Sequence, residues 1–327
     1  MRRARVVRAL AIVLIVIATG ALAACGSSAS SGTAAQSTNA LTLELRLRSA
    51  RPLSGSEMGR AITVMNARLQ RLGVGNFELR AVGASGISLR LLPDVKKPAR
   101  LARIIGSVGR LELFDLEPSL VRGVSSVNDA PKPRSLRELL VLARATAKKG
   151  GSGAPAPGLR VPSGTELVSC DLATSRFCPN ESGGFTPKPG DTWYYLFRLP
   201  PQLSNDDLKR GSIRAFFDAA NAYPEITFNL TGSGNAKFRE ITRLEWRRGS
   251  AQGCPQHFAF VVDGRLITFP QIDPNSQTLS DGIDPSVGGM LIEGLQGLSQ
   301  VKELAAVLRA GPLPTSFRVL SSPVTTR

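Results

Sequence analysis

Alternating and helically spaced apolar residues divide the first third of the chain into short elements. Over 41–48, leucine occupies every second position and polar residues fill the others, which predicts a strand with one buried face. Apolar residues then recur at helical spacing over 58–72, and Gly73 predicts the end of that helix. The remaining elements of this half are strands over 77–82 and 87–92, a helix over 98–108 and a strand over 110–116. The order βαββαβ predicts a ferredoxin-like unit, in which two helices cover one face of an antiparallel sheet.

A second series of helices and strands begins at residue 191. Asp263-Gly264 separates two apolar runs and predicts a tight hairpin, because glycine accepts a positive φ angle. Thr231 is the predicted N-terminal cap of a helix, whereas Gly232 and Gly234 lack the Gly-Lys-Ser/Thr continuation of a phosphate-binding loop. The predicted elements are strands over 193–199, 226–230, 258–262, 266–269 and 316–320, a short helical or turn segment over 205–213, and helices over 232–244 and 299–310. This half is therefore also predicted to be α+β.

Residues 118–190 show little regular patterning. Ser135 and Glu138 have the spacing of a capping box, which predicts a helix that ends near Lys149. Residues 150–158 are rich in glycine, proline and alanine and predict a linker. We interpret 118–190 as an elaborated connection with a cysteine loop. It joins a ferredoxin-like domain over 41–117 to a second α+β domain over 191–320.

The N-terminus predicts export and a lipid anchor. Arginines precede an apolar run over 9–18, and small residues follow it, as in a secretory signal peptide. The tetrad Leu-Ala-Ala-Cys at 22–25 resembles the lipobox of bacterial lipoproteins, whose cysteine thiol receives a diacylglyceryl group. An uncleaved anchor helix is the alternative, because the apolar stretch reaches about the lower limit for a membrane span. We predict a signal peptide over 1–24, lipidation at Cys25 and a flexible tether over 25–40, which places the protein at the outer face of the bacterial cytoplasmic membrane.

Export permits disulfide bonds, and three further cysteines are present. Cys170 and Cys178 lie close together in a loop-like stretch and are the predicted pair, which leaves Cys254 over. Cys254 is an alternative partner for either one, because sequence does not determine connectivity. A zinc site built from Cys254, His257 and the other two cysteines is conceivable, but its spacing matches no familiar template.

Composition narrows the classes of function. Of the 327 residues, 42% are hydrophobic, which is enough for a packed core and excludes wholesale disorder. Apart from the N-terminal run, no stretch is long and apolar enough for a span, which argues against a polytopic channel or transporter. Basic residues outnumber acidic ones by 41 to 25, but they are scattered and aromatic residues make up only 6%. This pattern disfavours nucleic acid as a partner and favours a solvated basic surface weakly attracted to anionic lipid.

Catalysis has little support in the sequence. The single histidine, His257, lacks a recognisable nucleophile pattern, no nucleophile elbow is present, and the carboxylates are scattered. A Ser/His/Asp triad assembled only in three dimensions stays open at this point. We predict a protein that is not an enzyme, with no catalytic residues, cofactor or metal.

Seven short segments together carry a family resemblance. The second half contains Phe-Asn-Leu-Thr-Gly-Ser-Gly-Asn-Ala-Lys-Phe at 228–238, Phe-Val-Val-Asp-Gly-Arg-Leu-Ile-Thr-Phe-Pro at 260–270, and further segments at 291–295 and 304–314. The first half contributes matching segments at 66–74, 91–95 and 111–114. In this order and spacing they resemble the first extracytoplasmic domain, head and base, of SecD, an accessory subunit of the bacterial Sec translocon.

The resemblance implies a ferredoxin-like base, a head-like second lobe and capture of polypeptides that emerge from the translocon. An exposed sheet edge or a groove between the lobes would take an extended chain by strand addition. SecD itself carries a proton path in six transmembrane helices, and none is predicted here, so we expect no proton-coupled activity from this chain alone. We predict a lipid-anchored protein that assists export, with exported polypeptides or Sec translocon components as partners. The alternatives are a solute-binding lipoprotein of a transporter and an envelope scaffold that binds the membrane or cell wall.

Overall fold

The computed structural model describes residues 42–92, 94–121, 161–179, 184, 186–190, 192–218, 223–320 and 324–326. The predicted signal peptide, Cys25, the tether, the helix that ends near Lys149 and the linker over 150–158 lie outside these described residues. Residues 40–327 belong to one compact unit. Within the described part of this unit, no helix has the length and apolar character needed to cross a bilayer.

The described residues contain a mixture of helices and strands, which confirms the predicted α+β class. The strands are β1 (Thr42–Ser49), β2 (Phe77–Val82), β3 (Gly86–Leu91), β4 (Leu111–Asp115), β5 (Thr165–Asp171), β6 (Thr192–Arg198), β7 (Arg214–Asp218), β8 (Tyr223–Phe228), β9 (Gln256–Val262), β10 (Arg265–Thr268), β11 (Gln271–Ile272), β12 (Met290–Ile292), β13 (Phe317–Val319) and β14 (Val324–Thr326). The α-helices are α1 (Gly55–Arg71), α2 (Pro98–Gly106), α3 (Leu116–Ser119), α4 (Gly232–Gln252), α5 (Pro285–Gly288) and α6 (Leu298–Ala310), and short 3-10 turns lie at Asn205–Asp207, Arg210–Ser212 and Gln277–Leu279.

The first sheet is antiparallel and has the order β13-β1-β3-β2, with β14 also paired to β1. Helices α1 and α2 supply Met65, Leu69 and Ile105 to the same core cluster as Leu45 and Leu89 of the sheet. The polar residues that alternate with these leucines face away from the core. This is the half-buried arrangement that the alternation over 41–48 predicts.

The strand predicted to close this first sheet belongs to the second sheet instead. β4 pairs with β9, and β13 from the far end of the chain takes the position beside β1. The expectation of a contiguous βαββαβ unit is therefore wrong for its last strand. All five residues of β4 are buried, so both of its faces need cover, whereas β13 alternates buried Phe317 with exposed Arg318 and suits a sheet with one face in solvent.

The second sheet is built around β9. This strand pairs with β4 along one edge and with β10 and β11 along the other, and β10 continues through β5 to β6. All seven residues of β9 are buried, because Phe258 and Phe260 enter one core and Ala259 and Val261 enter another on the opposite face. The predicted hairpin between β9 and β10 is confirmed by a turn whose two central residues have φ angles of 50° and 71°.

A third sheet has the order β12-β8-β7. Together with α4 and α6, it packs against the face of the second sheet that carries Phe258 and Phe260. Ile226 of β8, Phe238 of α4 and Val301 of α6 share its core cluster. Thr231 caps α4 as predicted, since its hydroxyl accepts a hydrogen bond from the N–H of Gly234 at 3.1 Å.

Arg68 joins the first sheet's helices to the C-terminal end of α6. Its Nη1 donates to the carbonyl oxygens of Ile105 (2.8 Å) and Ser107, and its Nη2 donates to those of Val108 (2.9 Å) and Gly311 (2.8 Å). The carbonyls past a helix C-terminus lack helical partners and carry partial negative charge, so a buried guanidinium is well placed there. Burial also lowers the pKa of Arg68, to about 10.

Candidate functional site

The edge strand β7 is the most exposed strand of the third sheet. β8 borders it on one side, and no other strand of the described residues pairs with it. Four of its five residues are exposed, including Phe216 at 51% and Phe217 at 47%. Tyr223, at the start of β8, is 45% exposed. An exposed edge strand with large apolar side chains is a template for pairing with another extended chain.

Register decides which way these aromatic side chains point. Phe216 lies opposite Glu225, and Phe217 lies opposite Pro224. Cross-strand partners share a face, so Phe216 lies on the outer face of the sheet and Phe217 lies on the face that packs towards α6. The edge therefore offers one phenylalanine to each face of an added strand.

The opposite edge of the molecule is protected in a way that β7 is not. On β2, the outer face carries Glu78 and Arg80, which form an ion pair, and Glu78 is also paired with Arg90 of β3 at 3.7 Å. Charged side chains on an edge strand oppose pairing with a second chain. By this criterion, β7 is better suited to such pairing than β2.

The cysteine loop contacts Tyr223 at the start of β8, the strand next to β7. The predicted partners Cys170 and Cys178 are joined in a disulfide in the structure, and the loop between them contains Arg176 and Phe177. The guanidinium carbon of Arg176 lies 4.8 Å from the ring centroid of Tyr223 and 5.9 Å from that of Phe177. We call Phe177, Phe216, Phe217 and Tyr223 the aromatic edge.

The sequence analysis does not predict β7 or the aromatic edge. The run Arg-Ala-Phe-Phe-Asp at 214–218 is short, and its two adjacent phenylalanines do not alternate with polar residues. The usable signal is the pair of aromatic residues followed a few positions later by the predicted strand over 226–230. Together they have the composition and spacing of a hairpin.

A buried carboxylate cluster lies between β4, α3, α4 and β9. Arg248 donates to both carboxylate oxygens of Asp115, at 2.5 and 3.0 Å, and the Nδ1 of His257 lies 2.7 Å from Glu117 Oε1. Burial raises the pKa of Asp115 to about 6. Burial, and then the charges of Asp115 and Glu117, raise the pKa of Glu245 well above its usual range. Asp115 is bonded to Arg248 and Glu117 to His257, and the cluster joins four elements of the core.

The remaining residues considered from sequence do not assemble into a metal site in the described part of the chain. His257 is buried against Glu117 and lies 5.9 Å, ring to ring, from Phe269. Cys254 lies outside the disulfide and is only partly buried. No group of three or more His, Cys, Asp or Glu side chains among the described residues is placed to hold a metal ion.

A cleft of about 510 Å³ lies beside α2, near the start of α6. Leu72 and Val95 contribute apolar walls, Lys96 lies at the rim, and Arg100 is paired with Glu303 of α6 at 3.0 Å. Cavities of this size accept small molecules. If the protein binds a solute, this cleft is therefore the expected binding site.

Comparison with known proteins matches this fold to one family. Residues 184–315 match the family model "SecDF, P1 head subdomain". The protein translocase subunit SecD of Elusimicrobium minutum is 23% identical over 266 residues, which cover 80% of this chain and 45% of that protein. The protein translocase subunit SecDF of Thermus thermophilus is 34% identical over 120 residues, which cover 37% of this chain and 14% of that protein.

A solved structure supports the same fold. The crystal structure of SecDF in super-membrane-facing form aligns with 86% of this chain and 30% of its own, with a TM-score of 0.51 and 22% sequence identity. The chain spans less than half the length of the SecD and SecDF proteins with which it was compared above. β7, β8, α4, β9 and α6 all lie within the matched residues 184–315. Residues 184–315 of this chain therefore match the P1 head subdomain of the SecD family.

Proposed function

We propose that this protein assists protein export by holding extended segments of exported polypeptides on the β7 edge. The observation that carries the proposal is an edge strand with four exposed residues, two of them phenylalanines, in a domain of the SecD family. Curated relatives are described as protein translocase subunits, which supports a role in the same process.

Strand addition suits a partner whose sequence varies. The bound segment would form main-chain hydrogen bonds with the free edge of β7, and these do not depend on its side chains. Phe216 and Phe217 would add apolar contacts on the two faces of the added strand. Such a surface would bind unfolded chains weakly. Weak binding would allow an exported polypeptide to dissociate and complete its translocation.

The proposal includes the location and the partners. Lipidation of Cys25 would hold the domain at the outer face of the cytoplasmic membrane, where exported chains and Sec translocon components are present. We propose no proton-coupled activity for this chain alone. The parent protein should incorporate labelled fatty acid and the Cys25→Ser variant should not; absence of label from the parent would contradict the lipid anchor.

Peptide binding to the purified domain tests the central claim. We expect a fluorescent ten-residue peptide with alternating valine and threonine to bind, and Phe216→Ser with Phe217→Ser to weaken binding at least about fivefold, as two lost aromatic contacts predict. Leu244→Ser is the matched control, because Leu244 is 45% exposed on α4 and away from β7. A peptide N-methylated at successive residues, and therefore along both edges, should bind poorly, because neither edge keeps the N–H groups that pair with a strand.

Two outcomes would count against the proposal. Equal weakening by the Leu244 variant would show that binding is not localised at β7. Full binding of the peptide that is N-methylated along both edges would show that strand addition is not the mode. Saturable binding of a small molecule, lost when the cleft residue Lys96 is replaced, would instead favour the solute-binding alternative.

A further inference from the structure

Four arginines surround the start of β7. Arg71 is the last residue of α1, Arg309 lies in the last turn of α6, Arg210 lies in the 3-10 turn before β7, and Arg214 is the first residue of β7. None of them forms an ion pair with a carboxylate of the described residues. We call this group the arginine cluster.

Packing brings these side chains together from distant parts of the sequence. α6 lies against both α1 and β7, and the guanidinium of Arg210 lies against Gly311, directly after α6. Burial, and then the positive charges of Arg214 and Arg71, lower the pKa of Arg309. The positive charges of Arg71, Arg214 and Arg309 repel one another, so an anion beside β7 would stabilise the cluster.

Helix dipoles explain the positions of only two of these arginines. Arg71 and Arg309 lie at helix C-termini, where positive charge is favourable. Arg214 is on a strand, and it donates to the carbonyls of Gly211 (2.6 Å) and Ile213 (2.9 Å) through Nη1 alone. Its Nη2 has no hydrogen-bond partner among the described residues, and neither does the buried Nε of Arg309. Arg214 therefore retains N–H groups for a carboxylate at the start of the edge strand, whereas the buried Nε of Arg309 is out of reach of an added strand.

We infer that β7 selects extended segments in which an acidic residue lies two positions from an apolar one; this inference rests on the proposed function. Arg214 and Phe216 are two residues apart on one strand, so they lie on the same face of the sheet. A strand added beside β7 would place its residues of one face opposite them, also two positions apart. The carboxylate would meet Arg214, and the apolar side chain would meet Phe216, both on the outer face of the sheet.

Three matched peptides, each made in two versions, test the preference for an acidic residue. Each contains a phenylalanine in an alternating valine and threonine background and carries Glu, Gln or Lys two positions away, in both sequence directions. We expect the Glu peptide of one direction to bind about fivefold more tightly than the Gln peptide, and the Lys peptide to bind more weakly than both. The difference should shrink from 50 to 500 mM salt, because the charges are exposed to solvent. The buffer must contain no phosphate, which would compete for the arginines.

Variants of Arg214 test whether this residue is the source of the preference for glutamate. Arg214→Gln should bring the Glu and Gln peptides to equal affinity, and Arg214→Lys should retain part of the preference. Arg318→Gln is the matched control, an exposed arginine on β13 at the edge of the first sheet, and it should leave the preference unchanged. Circular dichroism and thermal unfolding check that each variant is folded.

The outcomes separate this inference from the proposed function. If all three peptides bind equally and Phe216→Ser still weakens them, the acidic preference is wrong and strand addition at β7 stands. If the preference survives Arg214→Gln, Arg214 is not its source and the inference fails. If no peptide binds, both the inference and the proposed function are overturned.

Discussion

Glu245 shows how the core tolerates a carboxyl group that has no bonding partner. Its side chain is fully buried, and neither carboxylate oxygen has a hydrogen-bond partner in the described residues. Asp115 and Glu117 lie close enough to raise its pKa further, after burial, and Arg248 is the compensating charge. A buried carboxyl in this position is favoured in its neutral, protonated form.

This arrangement predicts a pH dependence of folding stability. An acid whose pKa is raised by folding stabilises the folded state below its unfolded pKa of about 4.5, and that contribution is lost as pH rises through the folded pKa. Asp115, with a pKa of about 6, changes in the same direction. The contribution of Asp115 to the free energy of unfolding should therefore fall as pH rises from about 3.8 through about 6, and that of Glu245 should fall as pH rises above about 4.5.

Glu245→Gln should remove the contribution of Glu245 to this fall. Glutamine resembles the neutral form, so we expect little change at pH 5 and a gain on the order of 1–3 kcal/mol at pH 8.5, measured by urea denaturation. Glu240→Gln on the same helix is the control, because Glu240 is exposed and paired with Arg243, which holds its pKa below the usual range. A variant no more stable than the parent at pH 8.5 would contradict this account of Glu245.

At the scale of elements, the Asp263-Gly264 turn does more than join β9 to β10. The Asp263 carboxylate accepts hydrogen bonds from the N–H groups of Gly109 at 2.9 Å and Arg110 at 2.8 Å. These residues lie where the chain leaves the first sheet and enters β4. The turn chemistry is readable from the Asp-Gly pair, but this second role is not, because Gly109 and Asp263 are 154 residues apart.

Asp263→Ala should lower the free energy of unfolding by about 1–3 kcal/mol, because it leaves two N–H groups without an acceptor and places alanine at positive φ. Asp263→Asn should cost less, since asparagine tolerates that φ angle and keeps one oxygen. Asp273→Ala is the control, because the exposed Asp273 carboxylate accepts only within its own turn, from Asn275. Equal losses for Asp263→Ala and Asp273→Ala in urea denaturation would refute a linking role.

At the scale of the whole molecule, the first sheet depends on a strand from the other end of the chain. β13 pairs with β1, and Phe317 belongs to the core cluster beneath α1 and α2. A Cβ on Gly106 would lie 3.2 Å from that of Phe317, so α2 packs closely on this strand. The head elements are therefore inserted within the ferredoxin-like sheet, between α2 and its last strand.

Phe317→Ala should loosen residues that are more than 200 positions away in sequence. We expect a loss of about 3–5 kcal/mol and faster amide hydrogen exchange in β1 and α2 than in β9 and α4, measured by mass spectrometry. Leu320→Ala, at a position that is 59% exposed, is the control and should leave exchange unchanged. Protection lost only in β9 and α4 would show that β13 does not stabilise the first sheet.

Much of the fold is predictable because its signals are local. Apolar periodicity, caps and glycine stops predict β1, α1, α2 and α6 close to their observed bounds, and they predict the start of α4 but not its end at Gln252. The seven resembling segments predict the family. β7 and β12 are missed because they are short, and β5, with seven residues, is missed because it does not alternate clearly. Proximity in sequence predicts Cys170 and Cys178 as the disulfide pair. The lipidation of Cys25 remains a prediction.

The sequence by itself determined the elements, the α+β class and the resemblance to SecD, because each depends on residues close together in the chain. Only the tertiary structure decided which strands share a sheet, since β4 and β13 exchange their expected positions according to how many faces each must bury. The aromatic edge and the arginine cluster were likewise decided by packing. Their residues come from α1, the cysteine loop, β7, β8 and α6, and no local pattern encodes that these segments meet.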